Sequence, residues 1–227
     1  MMRAIGTMSG TSMDGVDVAL IETDGLGQVQ AIDGAYLTLD YSSDERAVLF
    51  QAVETALALD AASAVDHPHL IAAAELSTRR HAQALVALQA KLDRPVDVIG
   101  HHGQTVLHRP NPEKPADAFT LQLGNAQVLA DATGVRVVDD FRTADVQEGG
   151  QGAPLAPLYH QALIASRTAL PAAILNLGGI ANITLITDTD PANLVAADIG
   201  PANVFMDDLM LQREGDAFDT DGALAAS

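Results

Sequence analysis

Ile5-Gly6-Thr7-Met8-Ser9-Gly10-Thr11-Ser12-Met13-Asp14-Gly15-Val16-Asp17, running straight into Val18-Ala19-Leu20-Ile21, reads as strand, tight turn, strand. Glycine lets a backbone approach a ligand closely, hydroxyls and free N–H groups bind phosphate oxygens, and a carboxylate can hold a divalent cation. The turn is therefore equipped as a nucleotide-phosphate site, and it is equally compatible with an ordinary hairpin. A Walker A loop is excluded. That motif needs a Lys after its last Gly and a helix behind it, whereas Asp17 and a strand pattern follow here.

Strand and helix patterns alternate beyond this turn, as in an α/β protein. Residues 5–9 and 16–22 form the first hairpin, and 31–39 add a third strand. Ser42 and Glu45 have the spacing of a capping box, so a helix starts there and repeats apolar residues at Val48, Leu49, Val53 and Leu57. An exit loop over 60–68 leads to a helix over about 70–92, which turns Ile71, Ala74, Leu85 and Leu88 to a core and is stopped by Pro95. Residues 96–100 then read as a short buried strand delivering His101-His102-Gly103-Gln104-Thr105 at its carboxyl end, where open α/β sheets place ligands. A strand over 119–123, a short helix capped by Asn125 and a buried strand over 135–138 follow. The last of these presents Asp139, Asp140, Phe141 and Arg142.

The second half opens with Gly149-Gly150-Gln151-Gly152-Ala153-Pro154, a flexible turn before a helix that starts near Pro154. A second strand–turn–strand over 173–186 carries Gly178, Gly179 and Asn182 and echoes the first hairpin. A strand over 194–198, the turn Gly200-Pro201-Ala202-Asn203 and a helix over about 204–211 come next. Two glycine-bearing hairpins suggest two half-sites gripping a phosphate chain across a cleft.

Composition narrows the partners. The 227 residues, 48% hydrophobic, suffice for a buried core in one large or two small domains. No run of 18 apolar residues is present and the start lacks the apolar core of a signal peptide, so a cytoplasmic protein is expected, with no membrane partner. A net charge of −18 argues against nucleic acid as a partner, as does an aromatic content of 4%. Zero cysteines remove disulfides and thiolate metal sites. His101, His102 and His108 lack the helical spacing of a zinc motif, while His67, His69 and His81 read as surface residues and His160 as helix packing.

Five blocks in one order, GTMSGTSMDGVDVALIETDG (6–25), GHHGQTVLHRP (100–110), VVDDFRTADVQEGGQGAPLAPLYH (137–160), LNLGGIANITLI (175–186) and DIGPANVFMD (198–207), resemble the anhydro-N-acetylmuramic acid kinases. The resemblance runs into the tail Phe218-Asp219-Thr220-Asp221-Gly222-Ala223. It implies an actin-like ATPase (ribonuclease H-like) fold with two related α/β domains, here 1–148 and an incomplete second one over 149–227. The implied reaction converts 1,6-anhydro-N-acetylmuramic acid, ATP and water to N-acetylmuramic acid 6-phosphate and ADP in cell-wall recycling. Its partners are the amino sugar and ATP with Mg²⁺, and a homodimer is implied too.

Carried over by position, the ATP-binding segment falls on Gly10, Thr11, Ser12, Met13, Asp14, Gly15, Val16 and Asp17, and the second phosphate-side turn on Gly178, Gly179 and Asn182. Asp14 and Asp198 are the candidate metal carboxylates. Water attack at the anomeric carbon needs a general base, for which Asp140 leads, Asp145 and Asp139 are rivals, and Arg142 is a salt-bridge partner for any of the three. His102, Gly103, Gln104 and Thr105 line the sugar pocket in this reading. The family's DTGPGN is Asp198-Ile199-Gly200-Pro201-Ala202-Asn203 here, which places a Cβ at 202 where glycine would tolerate a positive φ.

Overall fold

A computed structural model describes residues 1–59, 66–165, 169–178, 180–216 and 218–226. It is a mixed α/β structure in two compact units, Met1–Ala153 and Pro154–Ser227. The glycine turn 149–152 lies with the first unit, to which its backbone is tied by hydrogen bonds described below.

In the first unit, β1 (Met2–Ser9), β2 (Gly15–Thr23) and β3 (Val29–Asp40) form an antiparallel meander. Alternate residues Arg3, Ile5, Thr7 and Ser9 of β1 are buried, the two-residue period of a sheet with one covered face. β4 (Val98–Arg109) runs parallel to β1, and β5 (Phe119–Leu123) pairs antiparallel to β4, giving the order β3-β2-β1-β4-β5. β6 (Val137–Val138) pairs parallel with β4. β4 is much longer than the short strand expected over 96–100, and the His101 to Thr105 block lies inside it rather than at its carboxyl end. The polar block stays in the ladder because β1 on one edge and β5 on the other supply hydrogen bonds that sequence spacing does not reveal.

Helix α1 (Ser43–Ala58) starts as expected: Glu45 N donates to Ser42 Oγ and Ser42 N to Glu45 Oε2, a complete capping box. It buries Leu49, Ala52 and Ala56 and leaves Leu57 exposed, contrary to the sequence reading, because the inward stripe runs through two alanines. The exit loop expected over 60–68 falls largely outside the described residues. Helix α2 (Pro68–Gln89) buries Leu70, Ala73, Leu76, Ser77, His81, Ala84, Leu85 and Leu88. Ile71 is half-exposed, one position off this stripe, and His81 is fully buried instead of on the surface. Helix α3 (Ala126–Thr133) is capped by Asn125, whose side chain accepts from Val128 N. Helix α4 (Thr143–Gln147) is a short turn after β6.

The core joins Ile5, Val16, Leu20, Leu49, Leu85, Ile99 and Leu129, all fully buried and all in the first unit. Each such side chain contributes about 1.5–3 kcal/mol on burial.

The second unit has α5 (Ala156–Ala165) and the antiparallel sheet β7 (Ala172–Leu177), β8 (Ile180–Ile186) and β9 (Val195–Pro201), followed by α6 (Asn203–Arg213). In β8, Thr184, Ile186 and Ala181 are buried, and β9 bulges at Ile199, which is skipped between the pairs Ala181–Gly200 and Asn182–Asp198. His160 packs onto this sheet through a 2.9 Å hydrogen bond with Thr184 Oγ1. Among the described residues no helix is long and apolar enough to cross a membrane.

Candidate functional site

The site is built where β4 changes partners. Ile99 and Gly100 pair with β6, and the same edge pairs with β5 only from Gln104 onward, leaving residues 101–103 at a fork. On the opposite edge, Thr7 pairs with His101 and Met8 with Gly103, so His102 is the extra residue of a bulge. A bulge re-aims a side chain, and glycine supplies the conformation that follows it: Gly103 has φ +75°, and a Cβ there would lie 2.5 Å from the Leu123 carbonyl oxygen. The fork encloses a cavity of about 220 Å³ lined by His101, His102, Thr120, Gln122, Asp140 and Thr143, among others.

His101 is nearly fully buried in the cavity wall, and neither ring nitrogen has a hydrogen-bond partner. It meets the edge of His81 at a centroid distance of 4.7 Å. Burial holds His101 neutral, its pKa pushed down to about 3, with the neighbouring His81 and His102 adding to the effect. His81 is pushed down to about 4, again by burial first, and its Nδ1–H donates to the Ser77 carbonyl at 2.8 Å.

His102 donates from Nδ1 to its neighbour's carbonyl, Gly103 O, at 3.0 Å and accepts at Nε2 from Arg142 Nε (3.1 Å) and Nη2 (2.8 Å). Arg142 Nη1 also donates to Gly152 O at 2.6 Å. Arg142 is thus oriented by an imidazole and a carbonyl, not by the aspartates proposed as its salt-bridge partners. Burial lowers the pKa of His102, and the Arg142 charge works in the same direction while the Gly103 carbonyl opposes both.

Asp140 stands on the wall opposite β4, with φ +52°, and its Oδ1 accepts from Thr143 N at 3.3 Å. Asp139 lines the same cavity. Asp145 is engaged elsewhere: its Oδ2 accepts from Gly152 N and its backbone carbonyl from Gly150 N, both at 2.7 Å. A Cβ on Gly150 would lie 2.2 Å from Asp145 Oδ2, so this glycine is required by close approach.

Gln104 is fully buried. Ser9 Oγ donates to its Oε1, and its Nε2 donates to Gly10 O (3.1 Å) and Thr105 O (3.2 Å). It anchors the β1–β2 turn to β4. In that turn Thr11, Ser12 and Asp14 are exposed, whereas Met13 and Val16 belong to the core and Gly15 packs against Leu39 O. Met13 N closes the turn on Gly10 O at 3.1 Å, with Met13 at φ +52°. Asp17 accepts from Thr38 Oγ1 at 2.6 Å on the sheet surface.

Asp14 Oδ1 accepts from Ser12 Oγ (2.9 Å) and Gly15 N (3.0 Å). Among the described residues no three His, Cys, Asp or Glu side chains cluster as a metal cage. Single carboxylates such as Asp14 and the exposed Asp198 of β9 fit a Mg²⁺ ion held through water and phosphate, the habit of this cation.

In the second unit, Gly178 O accepts from Asn203 N and Leu177 O from Asn203 Nδ2, both at 2.9 Å, so the first residue of α6 fastens the β7–β8 turn. Asn182 pairs with Asn176 and Asp198 across the strands. Gly179 lies outside the described residues. Ala202 has φ −122°, so it does not adopt the positive φ at which glycine would be favoured.

Thr120, Gln122 and Asn203 were not singled out by sequence. The alternation of Phe119-Thr120-Leu121-Gln122-Leu123 was the available signal for the first two, since it puts both polar residues on one face of β5.

A sequence model described as anhydro-N-acetylmuramic acid kinase matches residues 2–227. The chain is 46% identical over 229 residues to the anhydro-N-acetylmuramic acid kinase of Rhizorhabdus wittichii, covering 99% of this chain and 60% of that protein. The namesakes from Azorhizobium caulinodans and Rhodopseudomonas palustris are each 47% identical, over 99% and 100% of this chain and 59% and 60% of their own lengths. The chain thus spans about 60% of the length of these curated relatives, and over that span it belongs to the anhydro-N-acetylmuramic acid kinase family.

Proposed function

We propose that the chain serves an ATP-dependent kinase that opens 1,6-anhydro-N-acetylmuramic acid with water and phosphorylates it to N-acetylmuramic acid 6-phosphate, a cytoplasmic step of cell-wall recycling. The observation that carries this reading is the cavity at the β4 fork. It sets uncharged hydrogen-bonding groups (His101, Thr120, Gln122) beside the carboxylate of Asp140, on a chain matched to the family over nearly its whole length.

In this reading the sugar lies in the fork near Gly103 and Thr105, with His102 in its wall and Gln104 behind it, tying β4 to the β1–β2 turn. Asp140 takes a proton from water as the water oxygen bonds to the anomeric carbon. The bond from that carbon to the bridging oxygen breaks, and the freed oxygen at C6 takes the γ-phosphoryl group, releasing ADP. Asp145 holds the glycine turn instead of acting as base. Gly10, Thr11, Ser12 and the backbone around Asp14 and Gly15 are the phosphate-binding groups of the first unit, and Gly178 and Asn182 are the phosphate-side candidates of the second. Mg²⁺, held through water by Asp14, would neutralise charge on the phosphate chain, and Asp198 is the candidate metal carboxylate of the second unit.

ADP release by the purified chain with Mg-ATP, with and without 1,6-anhydro-N-acetylmuramic acid, tests the reading. Sugar-dependent ADP is expected, and Asp140→Asn is expected to reduce it by about 10²–10⁴-fold. Undiminished turnover in Asp140→Asn together with loss in Asp139→Asn would move the base to Asp139, which lines the same cavity. A folded chain that binds nucleotide yet forms no ADP would instead be a nucleotide-binding relative without turnover.

A further inference from the structure

Three side chains connect β4 to the segment that follows β6, and neither composition nor motif spacing singles out their connection. His102 presents a lone pair at Nε2 to Arg142, Arg142 grips the carbonyl of Gly152, and Asp145 takes the N–H of the same residue. Both backbone hydrogen-bonding groups of one residue, Gly152, are thereby held. Gly150 N adds a bond to Asp145 O, and Gly152, at φ +64°, has room only for hydrogen, since a Cβ would lie 2.7 Å from Val146 Cγ2. The segment so fastened begins with Asp139 and Asp140, which line the same cavity as His101.

We propose that His102 is a positioning residue, not a sugar ligand: through Arg142 it sets the spacing between the β4 wall of the cavity and the wall that carries Asp140. The bulge gives this role its geometry, since an in-register residue at 102 would take its place in the ladder with β1. His102 has no ring nitrogen left for a substrate, because Nδ1 donates to Gly103 O and Nε2 accepts from Arg142. The arrangement requires one tautomer, with the proton on Nδ1. The inference rests on the kinase reading only in that Asp140 stands on the positioned wall. The connection itself can be tested without turnover.

Long-range ¹H–¹⁵N correlation on the unmodified 227-residue chain reads the tautomer, and a proton on Nε2 of His102 would overturn the proposal. Amide exchange over residues 143–152 reads the wall. In His102→Ala it is expected to speed up about tenfold or more relative to core amides of β1. In His102→Gln, whose amide oxygen can accept from Arg142, it should stay near the unmodified rate. Equal exchange in the Ala and Gln variants, whether fast or slow, would show that the acceptor at this position does not hold the wall. If His102→Ala does not fold, Arg142→Met leaves the histidine in place and is expected to loosen the same amides; unchanged exchange there also overturns the proposal. A chain that forms no ADP but passes these tests would fail the kinase reading alone.

Discussion

Gly124 and His101 compete for one space: a Cβ built on Gly124 would lie 2.1 Å from His101 Nε2, and the backbone there has φ +148°. Gly124→Ala should therefore destabilise the chain by about 1–3 kcal/mol, measured as a shift in urea midpoint at constant slope, because the ring has the Leu123–Gly124 backbone on one side and His81 on the other. A shift near zero would mean that the imidazole has somewhere else to go. The histidine block was legible in the sequence as a site, since polar residues after a buried strand demand an explanation. His81 was not legible, although Ser77, His81 and Leu85 are spaced by four on the buried face of α2. Its polar identity pointed outward while its position pointed inward. Position prevailed: the ring packs against His101 and donates from Nδ1 to Ser77 O, while its Nε2 is buried without a partner.

Helix α1 and strand β4 lie at opposite ends of what can be read locally. The start of α1 is written in Ser42 and Glu45, and the two reciprocal bonds are present. Ser42→Ala should cost about 1 kcal/mol, visible as earlier thermal unfolding with unchanged secondary structure at low temperature. No loss of stability would mean that packing of Leu49, Ala52 and Ala56 alone starts the helix. The extent of β4 is written nowhere near β4. Its first half is completed by β1 and β6 and its second by β5, so the strand continues through a block whose own composition looks like a loop. The resulting fork makes the cavity. Motif recognition assigned His102 and Gln104 to the substrate, and the structure engages them with Arg142, Ser9 and Gly10.

For the molecule as a whole, the buried imidazoles couple folding to pH. His81 and His101 have folded pKa values of about 4 and about 3 against an ordinary value of 6.5, so the unfolded chain binds these protons first. Their contribution to stability is intact above pH 6.5 and is lost as pH falls. Each histidine removes about 1.4 kcal/mol per pH unit until its folded value is reached, below which the loss levels off. Urea midpoints between pH 6.5 and 5, above most carboxylate titration, should fall steadily, and His81→Leu should make the slope shallower. A constant midpoint across that window would rule out neutral burial. The α/β class was readable from the alternation of elements, and the family from its ordered blocks. The distribution of burial was not: the contiguous core is confined to the first unit, while Leu175, Leu177, Ile180 and Val195 of the second remain largely exposed.

The parallel pairing of β1 with β4 also bears on how the chain is made. β1, β2 and β3 can assemble as soon as they emerge from the ribosome, since each pairs with its neighbour in sequence. The other side of β1 waits for residue 98, with α1 and α2 still to be synthesised in between. Throughout that interval the nascent chain carries an uncovered strand edge that later lies at the centre of the sheet, the kind of edge that recruits a second chain. Slow translation across α2 prolongs this exposure, so the vulnerability of the protein to aggregation is greatest before its candidate site exists.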